Sequence, residues 1–548
     1  MKNPDDAIGP SARGHQLEDQ SEQGLARRRF LRLAGTTVLG GVAASVLNAC
    51  STPSAATSAS TSGSDAPAGD AAADTSGTTA PDIPLPAASP ASSVVAIVID
   101  GTLPIPPLLL PETQGGTKVF RLTLEKGESQ FLSGQTTATF GFNGSYLGPT
   151  LRAGLGDSVR IDVTNHLGET STVHWHGMHL PAAMDGGPHQ TIADNTTWSP
   201  QFTIQQPAAT LWYHPHMLGQ TLQQVGMGLA GLFILDDTDQ AHNDLPSVYG
   251  VDDIPLILQA KTFGANGQFV LNGGGRGRGG PNGDATTLVN GAISPAINPS
   301  ASRLRFRVLN ASSEEFYNLG FAGGNTFHQV ASDGGLLPAP VALTRLQLAP
   351  AERAEIIVDI DPSSPMVLQG FGGNGGGRGG TDFATGPVLT INPTQTSAPL
   401  APLPANLTAI ERWSPDSAAQ TRDFVLGGND QNPTINGQAM TSMADMMDMT
   451  NVIQVKLGTT EIWNVVNRSN DTHAFHVHDI QFQILQRDVA SPAANESGRK
   501  DTVVVHPRET LRLIMRFTDF ADPSTPYMYH CHLLNHEDNG MMGQFVVI

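Results

Sequence analysis

The chain has 548 residues, of which 39% are hydrophobic and only 15% charged, with 59 Gly and 39 Pro. That is length enough for several domains, and the Gly/Pro-rich, charge-poor balance suits a turn-rich β protein and excludes a coiled coil. Fifty acidic against thirty basic residues give a formal net charge of −20, the wrong sign for a nucleic-acid partner, and two cysteines, Cys50 and Cys531, do not make a disulfide framework.

The N-terminus reads as an address. Arg27 and Arg28, then Phe30-Leu31 and a charge-free apolar stretch over 33–47, resemble a twin-arginine export signal. The stretch is too short and too rich in Gly, Ala and Thr for a spanning helix. It ends Val46-Leu47-Asn48-Ala49-Cys50, similar to a lipobox with Cys50 as the lipidated residue, although Asn48 departs from the usual small or β-branched type. Residues 1–50 therefore predict export to the periplasm or cell envelope with a lipid anchor at Cys50; a plain cleaved signal is the alternative. Residues 51–92 are almost only Ala, Ser, Thr, Pro, Gly and Asp, which cannot build a core. They predict a disordered tether with a typical reach of about 35 Å.

Beyond the tether, short apolar runs alternate with turn residues at 94–99, 158–163, 229–235, 303–309, 354–360, 452–457, 511–517 and 544–548. Helical periodicity is scarce, so the pattern predicts an all-β chain of Greek-key sandwiches. An internal repeat sets their number. Tyr213-His214-Pro215-His216-Met217-Leu218 recurs as Tyr529-His530-Cys531-His532-Leu533-Leu534, and each copy has a further His-x-His upstream, at His174/His176 and His476/His478. A strand-rich segment without His-x-His lies between them. Three similar sandwiches are expected, at 93–240, 250–395 and 420–548. Two Gly/Arg runs in the middle one, 272–283 and 370–380, read as surface loops rather than RNA-binding tails.

Four His-x-His pairs carry the chemistry. On a strand, residues i and i+2 face the same way, about 6.6–6.8 Å apart, so two imidazoles can serve one metal or two adjacent ones. Four such pairs, two in each repeated domain, are hard to explain as chance core residues. Cys531, between His530 and His532, must point to the opposite face, where His473, His536 and Met541 can meet it. Two imidazoles, a thiolate and a weak axial thioether describe a blue-copper electron-transfer site. Pro215 and Leu229 at the equivalent Cys and Met positions leave the first copy without one.

His174-Trp175-His176-Gly177, Trp212-Tyr213-His214-Pro215-His216, His473-Ala474-Phe475-His476-Val477-His478 and the run from His530 through Met541 to Met542 resemble the four copper signatures of the multicopper oxidases. The bacterial group with three cupredoxin domains, copper-efflux oxidases and laccases, is the most similar. In the middle segment, residues 329–337 and the turn Glu352-Arg353-Ala354-Glu355 resemble this group too. The resemblance implies three cupredoxin-like domains and four copper ions. His473, Cys531, His536 and Met541 would bind the type 1 copper, and His174 and His476 the type 2 copper. His176, His214 and His532 would hold one type 3 copper, and His216, His478 and His530 the other. All ten histidines of the pattern are present; Ala474 stands where proline is usual, at a position that is not a ligand. The resemblance also implies four-electron reduction of O2 to water, with Asp185 and Glu537 at acidic positions assigned to proton delivery. The plainer reading is a turn residue for Asp185 and a ligand-orienting carboxylate for Glu537. His166, His242, His328 and His506 read as satisfied or surface residues, while His179 and His189 lie close enough in sequence to support a ligand.

The substrate is less legible. Met440, Met443, Met446, Met447 and Met449 cluster with Asp445 and Asp448 just before the third His-x-His. Met440, Met443 and Met447 fit one helix face. Soft thioethers select Cu(I), and carboxylates would help to hold the Cu(II) product; the alternative is that methionines fill gaps over a core. An axial Met also lowers the potential relative to a non-coordinating residue, which favours Cu(I), Fe(II) or electron-rich phenols as donors. The sequence thus predicts an exported cuprous oxidase, monomeric, with O2 as acceptor and no nucleic-acid partner. The rivals are a laccase or bilirubin-oxidase-like enzyme, and a copper-sequestering surface protein.

Overall fold

Alternation along Ser158–His166 sets the pattern for the whole chain: Val159, Ile161 and Val163 point into a core while their neighbours face outward. A computed structural model describes residues 101–237, 244–271, 285–372, 383–394 and 400–548. The export signal, Cys50, the tether, the 94–99 run, the 272–283 run, His242 and most of the 370–380 run lie outside the described residues.

The described strands form six sheets, two per sandwich. The first sandwich packs a six-stranded sheet over a four-stranded one around Phe120, Leu122, Ile161, Val163, Trp175 and Tyr213. The middle one packs seven strands over six around Leu256, Phe306, Tyr317 and Ile356. The third packs two five-stranded sheets around Phe424, Trp463, Leu513, Tyr529 and Phe545. Parallel and antiparallel pairs mix within each sandwich, as in a cupredoxin fold. Short helices are confined to connections, among them Thr221–Gly226, Met443–Met447 and Leu534–Asp538.

Strand Asp253–Lys261 departs from alternation and is buried along its whole length. The reason is a second apolar layer: Trp212 and Leu232 of the first sandwich pack on Ile257 and Leu309 of the middle one. Both faces of that sheet are therefore covered, and a near-continuous apolar run is what such a position requires.

Candidate metal centre

Two pairs of strands present the His-x-His motifs. In the first sandwich, strand His174–His176 lies antiparallel to Ala209–His214, with His174 opposite His214. In the third, His473–Val477 lies antiparallel to Asp522–Cys531, with His476 opposite His530 and Phe475 opposite Cys531. The same register in both copies turns the two histidine-bearing faces toward each other. Rings from different sandwiches then stack: His174 on His478 at 3.9 Å and His176 on His476 at 3.7 Å between centroids. A turn supports this edge. Gly186, at φ +77°, sits where a Cβ would fall 1.7 Å from the Val173 carbonyl oxygen, so only glycine lets the turn after Asp185 approach the strand that delivers His174.

All eight histidines are buried. They converge as His174/His476/His478, His176/His214/His532 and His216/His478/His530, each group close enough to share one ion. Several of their outer nitrogens face acceptors. His174 Nδ1 donates to the Asp185 carbonyl at 2.9 Å, and His478 Nδ1 to Asp185 Oδ2 at 2.7 Å. His214 Nδ1 donates to the Pro215 carbonyl at 2.8 Å and His476 Nδ1 to the Asp501 carbonyl at 2.8 Å. Burial lowers the pKa of His176, His214, His476 and His478 well below the ordinary value, and takes His216 and His532 down to about 3. A neutral imidazole has one N–H; with that proton spent outward, its other nitrogen offers a lone pair inward. The inner nitrogens lie 3.2 Å apart between His216 Nε2 and His530 Nε2 and between His478 Nε2 and His530 Nε2, and 3.5 Å between His532 Nε2 and His214 Nε2. The inner Nε2 atoms of His174 and His476 have no hydrogen-bond partner. Facing, buried lone pairs are unfavourable unless a cation lies among them, so the residues fit a group of metal ions.

Glu537 lies behind this cluster, its carboxylate 3.1 Å from His216 Nδ1 and 3.3 Å from His530 Nδ1. Burial opposes its charge, but the facing imidazoles His216 and His530 outweigh that and hold its pKa well below the carboxylate range.

A second group lies on the other face of the His530–His532 segment. Cys531 Sγ is 3.5 Å from His473 Nδ1 and 3.6 Å from His536 Nδ1. The far nitrogens are held by Ser469 Oγ, 2.8 Å from His473 Nε2, and by Asp430 Oδ1, 3.2 Å from His536 Nε2. Met541 is fully buried beside them, and its carbonyl accepts the Cys531 N–H at 3.0 Å.

The methionine segment differs from the sequence expectation. Its helix spans only Met443–Met447, because Ser442 caps it: the Ser442 hydroxyl accepts from Asp445 N–H while Asp445 Oδ2 accepts from Ser442 N–H and Oγ–H. Met440 precedes the helix and donates its N–H to the Gly540 carbonyl at 2.9 Å, so it does not share a helix face with Met443 and Met447. Met446 is buried against Met528 and Met542, which is packing. Met443, Met447 and Met449 are 40%, 68% and 38% exposed. Asp445 caps the helix through Oδ2, and Asp448 Oδ1 accepts from Thr450 N–H; both residues are exposed. Gln544 Nε2 and His189 Nε2 donate to the Met446 carbonyl and strap the segment over strand Met542–Val547.

His189 thus braces the methionine segment, and His179 Nδ1 lies 3.6 Å from Asp519; neither contacts a clustered histidine directly in the bonds described. Ser469, Asp430 and Asp501 were missed by sequence reasoning. Asp430 is 106 positions from His536, on a hairpin with no motif of its own, and only the fold brings the two together.

Comparison with known proteins agrees with this geometry. Residues 123–240 and 416–548 each match the multicopper oxidase family. The chain is 34% identical to the multicopper oxidase mco of Staphylococcus aureus over 79% of its own length and 89% of that protein. It is 37% identical to the cell division protein FtsP of Sodalis glossinidius, over 81% and 92% of the two chains. The laccase of Pediococcus acidilactici superposes with a TM-score of 0.73 at 33% identity, covering 83% of this chain and 95% of that one.

Proposed function

Because the chain belongs to the multicopper oxidase family, whose cofactor is copper, we propose that it oxidises Cu(I), with phenols and Fe(II) as accessory donors, and reduces O2 to water in the service of copper tolerance. The reading includes four coppers: type 1 on His473, Cys531, His536 and Met541, type 2 on His174 and His476, and a type 3 pair on the remaining six histidines. Bound copper supplies one-electron oxidation at Cys531 and, among the eight imidazoles, the multi-electron capacity that O2 requires.

The chain's own residues prepare that chemistry. Cys531 is bonded through its backbone to His530 and His532, so the shortest covalent connection between the two groups is a single peptide unit on either side. Asp185 orients two ligands at once, through its carbonyl to His174 and through Oδ2 to His478, and its buried Oδ1 has no hydrogen-bond partner. That oxygen is the atom suited to hold a proton beside the cluster. Glu537, kept ionised by the imidazoles it faces, is suited to orient His216 and His530 and to relay a proton rather than store one. The observation that carries the Cu(I) reading is the exposed thioether set Met443, Met447 and Met449, strapped to the strand that follows Met541. Met443 and Met447 are one helical turn apart on one face, and soft sulfur favours Cu(I).

The test is O2 uptake after anaerobic addition of Cu(I), set beside oxidation of 2,6-dimethoxyphenol. Replacing Met443, Met447 and Met449 by Leu keeps the apolar volume and removes the sulfur. The expected result is Cu(I)-driven O2 uptake reduced by about tenfold or more in apparent kcat/KM, equivalent to roughly 1.4 kcal/mol, with phenol oxidation unchanged. Cu(I) oxidation indifferent to the change, with vigorous phenol turnover, would make the protein a laccase; copper binding without O2 uptake would make it a sequestering protein. We further propose export by the twin-arginine route, a lipid anchor at Cys50 and a monomeric state, since one chain contains every ligand in the set.

A further inference from the structure

One buried charge pair has no part in the reading above. Arg353 opens strand Arg353–Asp359 of the middle sandwich, a domain that contributes no histidine to either group. Its guanidinium is buried and donates to both oxygens of Asp501 in the third sandwich, Nη1 to Oδ1 at 2.7 Å and Nη2 to Oδ2 at 2.6 Å. Its Nε donates to the Thr210 carbonyl in the first sandwich at 3.0 Å. Asp501 in turn touches two imidazoles from different sandwiches. Its Oδ1 is 3.1 Å from His176 Nε2, and its carbonyl oxygen is 2.8 Å from His476 Nδ1. Those two rings are the stacked pair, tilted by only 12°.

Carboxylate and carbonyl oxygens can only accept here, so each nitrogen facing Asp501 must carry the ring's proton. The carboxylate therefore assigns the proton of His176 to Nε2 and leaves Nδ1 as its lone pair, facing His214 Nε2 at 3.4 Å. The carbonyl assigns the proton of His476 to Nδ1 and leaves Nε2 as its lone pair, which has no hydrogen-bond partner. One residue thus sets opposite tautomers on two stacked rings. Asp501 could itself be counted as a metal ligand by proximity, but its oxygens already accept from Arg353, from Thr502 and, at Oδ1, from His176. A further observation concerns Gly177, which follows His176 at φ +85°. A Cβ there would lie 2.6 Å from Arg353 Nη2 and 2.6 Å from Asp501 Oδ2, so the glycine makes room for the pair. A buried ion pair is a weak source of stability compared with apolar packing, which leaves positioning as the role that accounts for it.

We propose that the Arg353–Asp501 pair is a positioning device in which the middle sandwich, holding no copper ligand, sets the tautomer of His176 through the Asp501 carboxylate, fixes the place of the Asp501 carbonyl that faces His476, and thereby makes the cluster competent to take up copper. The proposal rests on the copper reading above. Its test uses the full, copper-loaded chain. Asp501→Asn alone would leave a buried guanidinium unpaired and could prevent folding, so the informative variant is Asp501→Asn with Arg353→Gln, which removes both charges. The readouts are copper bound per chain, the type 2 signal in electron paramagnetic resonance, and the blue thiolate-to-copper absorption at Cys531 as an internal control. The double variant is expected to keep the blue band but to bind cluster copper roughly 10–100-fold more weakly, with an altered or missing type 2 signal. Arg353→Lys retains the carboxylate acceptor and is expected to recover most of the copper. Full copper content with an unchanged type 2 signal in the double variant would overturn the proposal. So would loss of the blue band together with the cluster copper, because the pair would then only hold the domains together. A wild-type chain with no blue band would instead overturn the copper reading itself.

Discussion

Cys531 sits between two histidines that face one way while its sulfur faces the other, and alternation along a strand makes this unavoidable. Around its sulfur, each imidazole is held by its far nitrogen, His473 by Ser469 and His536 by Asp430. The two partners differ in charge and exposure. Ser469 is buried and neutral, whereas the Asp430 side chain is 37% exposed. A carboxylate against His536 stabilises the more positive, oxidised state of whatever that ring binds. Asp430→Asn should therefore raise the reduction potential of the type 1 site. The effect should be on the order of 1 kcal/mol or less, because water screens a partly exposed carboxylate. Redox titration of the blue band checks this, and an unchanged or lower potential would refute it.

Single elements explain how the groups are held in place. Helix Thr221–Gly226 of the first sandwich receives Asp538 of the third at its start, with Thr221 and Leu222 N–H groups each donating at 2.9 Å. The same helix receives Lys261 of the middle sandwich at its end, where Nζ donates to the Gly226 carbonyl at 2.5 Å. Cation at the C-terminal end and acid at the N-terminal end both match the helix dipole. Lys261 is buried, and burial, only partly offset by Glu315, lowers its pKa to about 7. The unfolded lysine titrates near 10.4, so between about pH 7 and 10.4 the unfolded chain binds more protons. Stability from this group must then rise with pH across that window and be lowest below it. Lys261→Met should flatten that rise, and the comparison of melting temperature between pH 7 and 10 for both proteins measures it. An equal pH dependence in the two would show that Lys261 is not carried as an uncomfortable charge. The Met443–Met447 helix is held differently, by its own capping box and by Gln544 and His189 on one carbonyl. That is why a five-residue helix can stand over the third sandwich with Met443 and Met447 exposed on it.

At the scale of the molecule, the three described sandwiches are not equivalent. The first and third carry the clustered histidines, and the middle one carries the charges that brace them: Arg353 on Asp501, and Asp333 with Glu352 on Lys500. Arg307 adds a bridge from Asp253 and Glu355 to Thr210 of the first sandwich. A site assembled from distant parts of the chain exists only after the sandwiches have docked. If the leader acts as the sequence suggests, Cys50→Ala should move the protein from the membrane fraction to the soluble envelope fraction while oxidase activity per chain stays the same. Unchanged membrane association would remove the lipid anchor from the reading.

The sequence by itself determined the β class, through period-two alternation such as that of Ser158–His166. It also singled out the histidines and Cys531, because their spacing of two is a local property that any strand converts into a shared or opposed face. Even the two-faced geometry at Cys531 needed no tertiary information. Only the tertiary structure decided what stands behind those residues. Asp501 lies 325 positions from His176, and Arg353 lies 148 from Asp501, so no local pattern could have joined them. The methionine segment was misread for a related reason. Its helical period was visible, but a cap at Ser442 and burial of Met446 under Met528 and Met542 chose which sulfurs reach solvent. Spacing along the chain fixes which way a side chain points relative to its neighbours; which partner it meets depends on how separate sheets pack, and packing is a property of the whole fold.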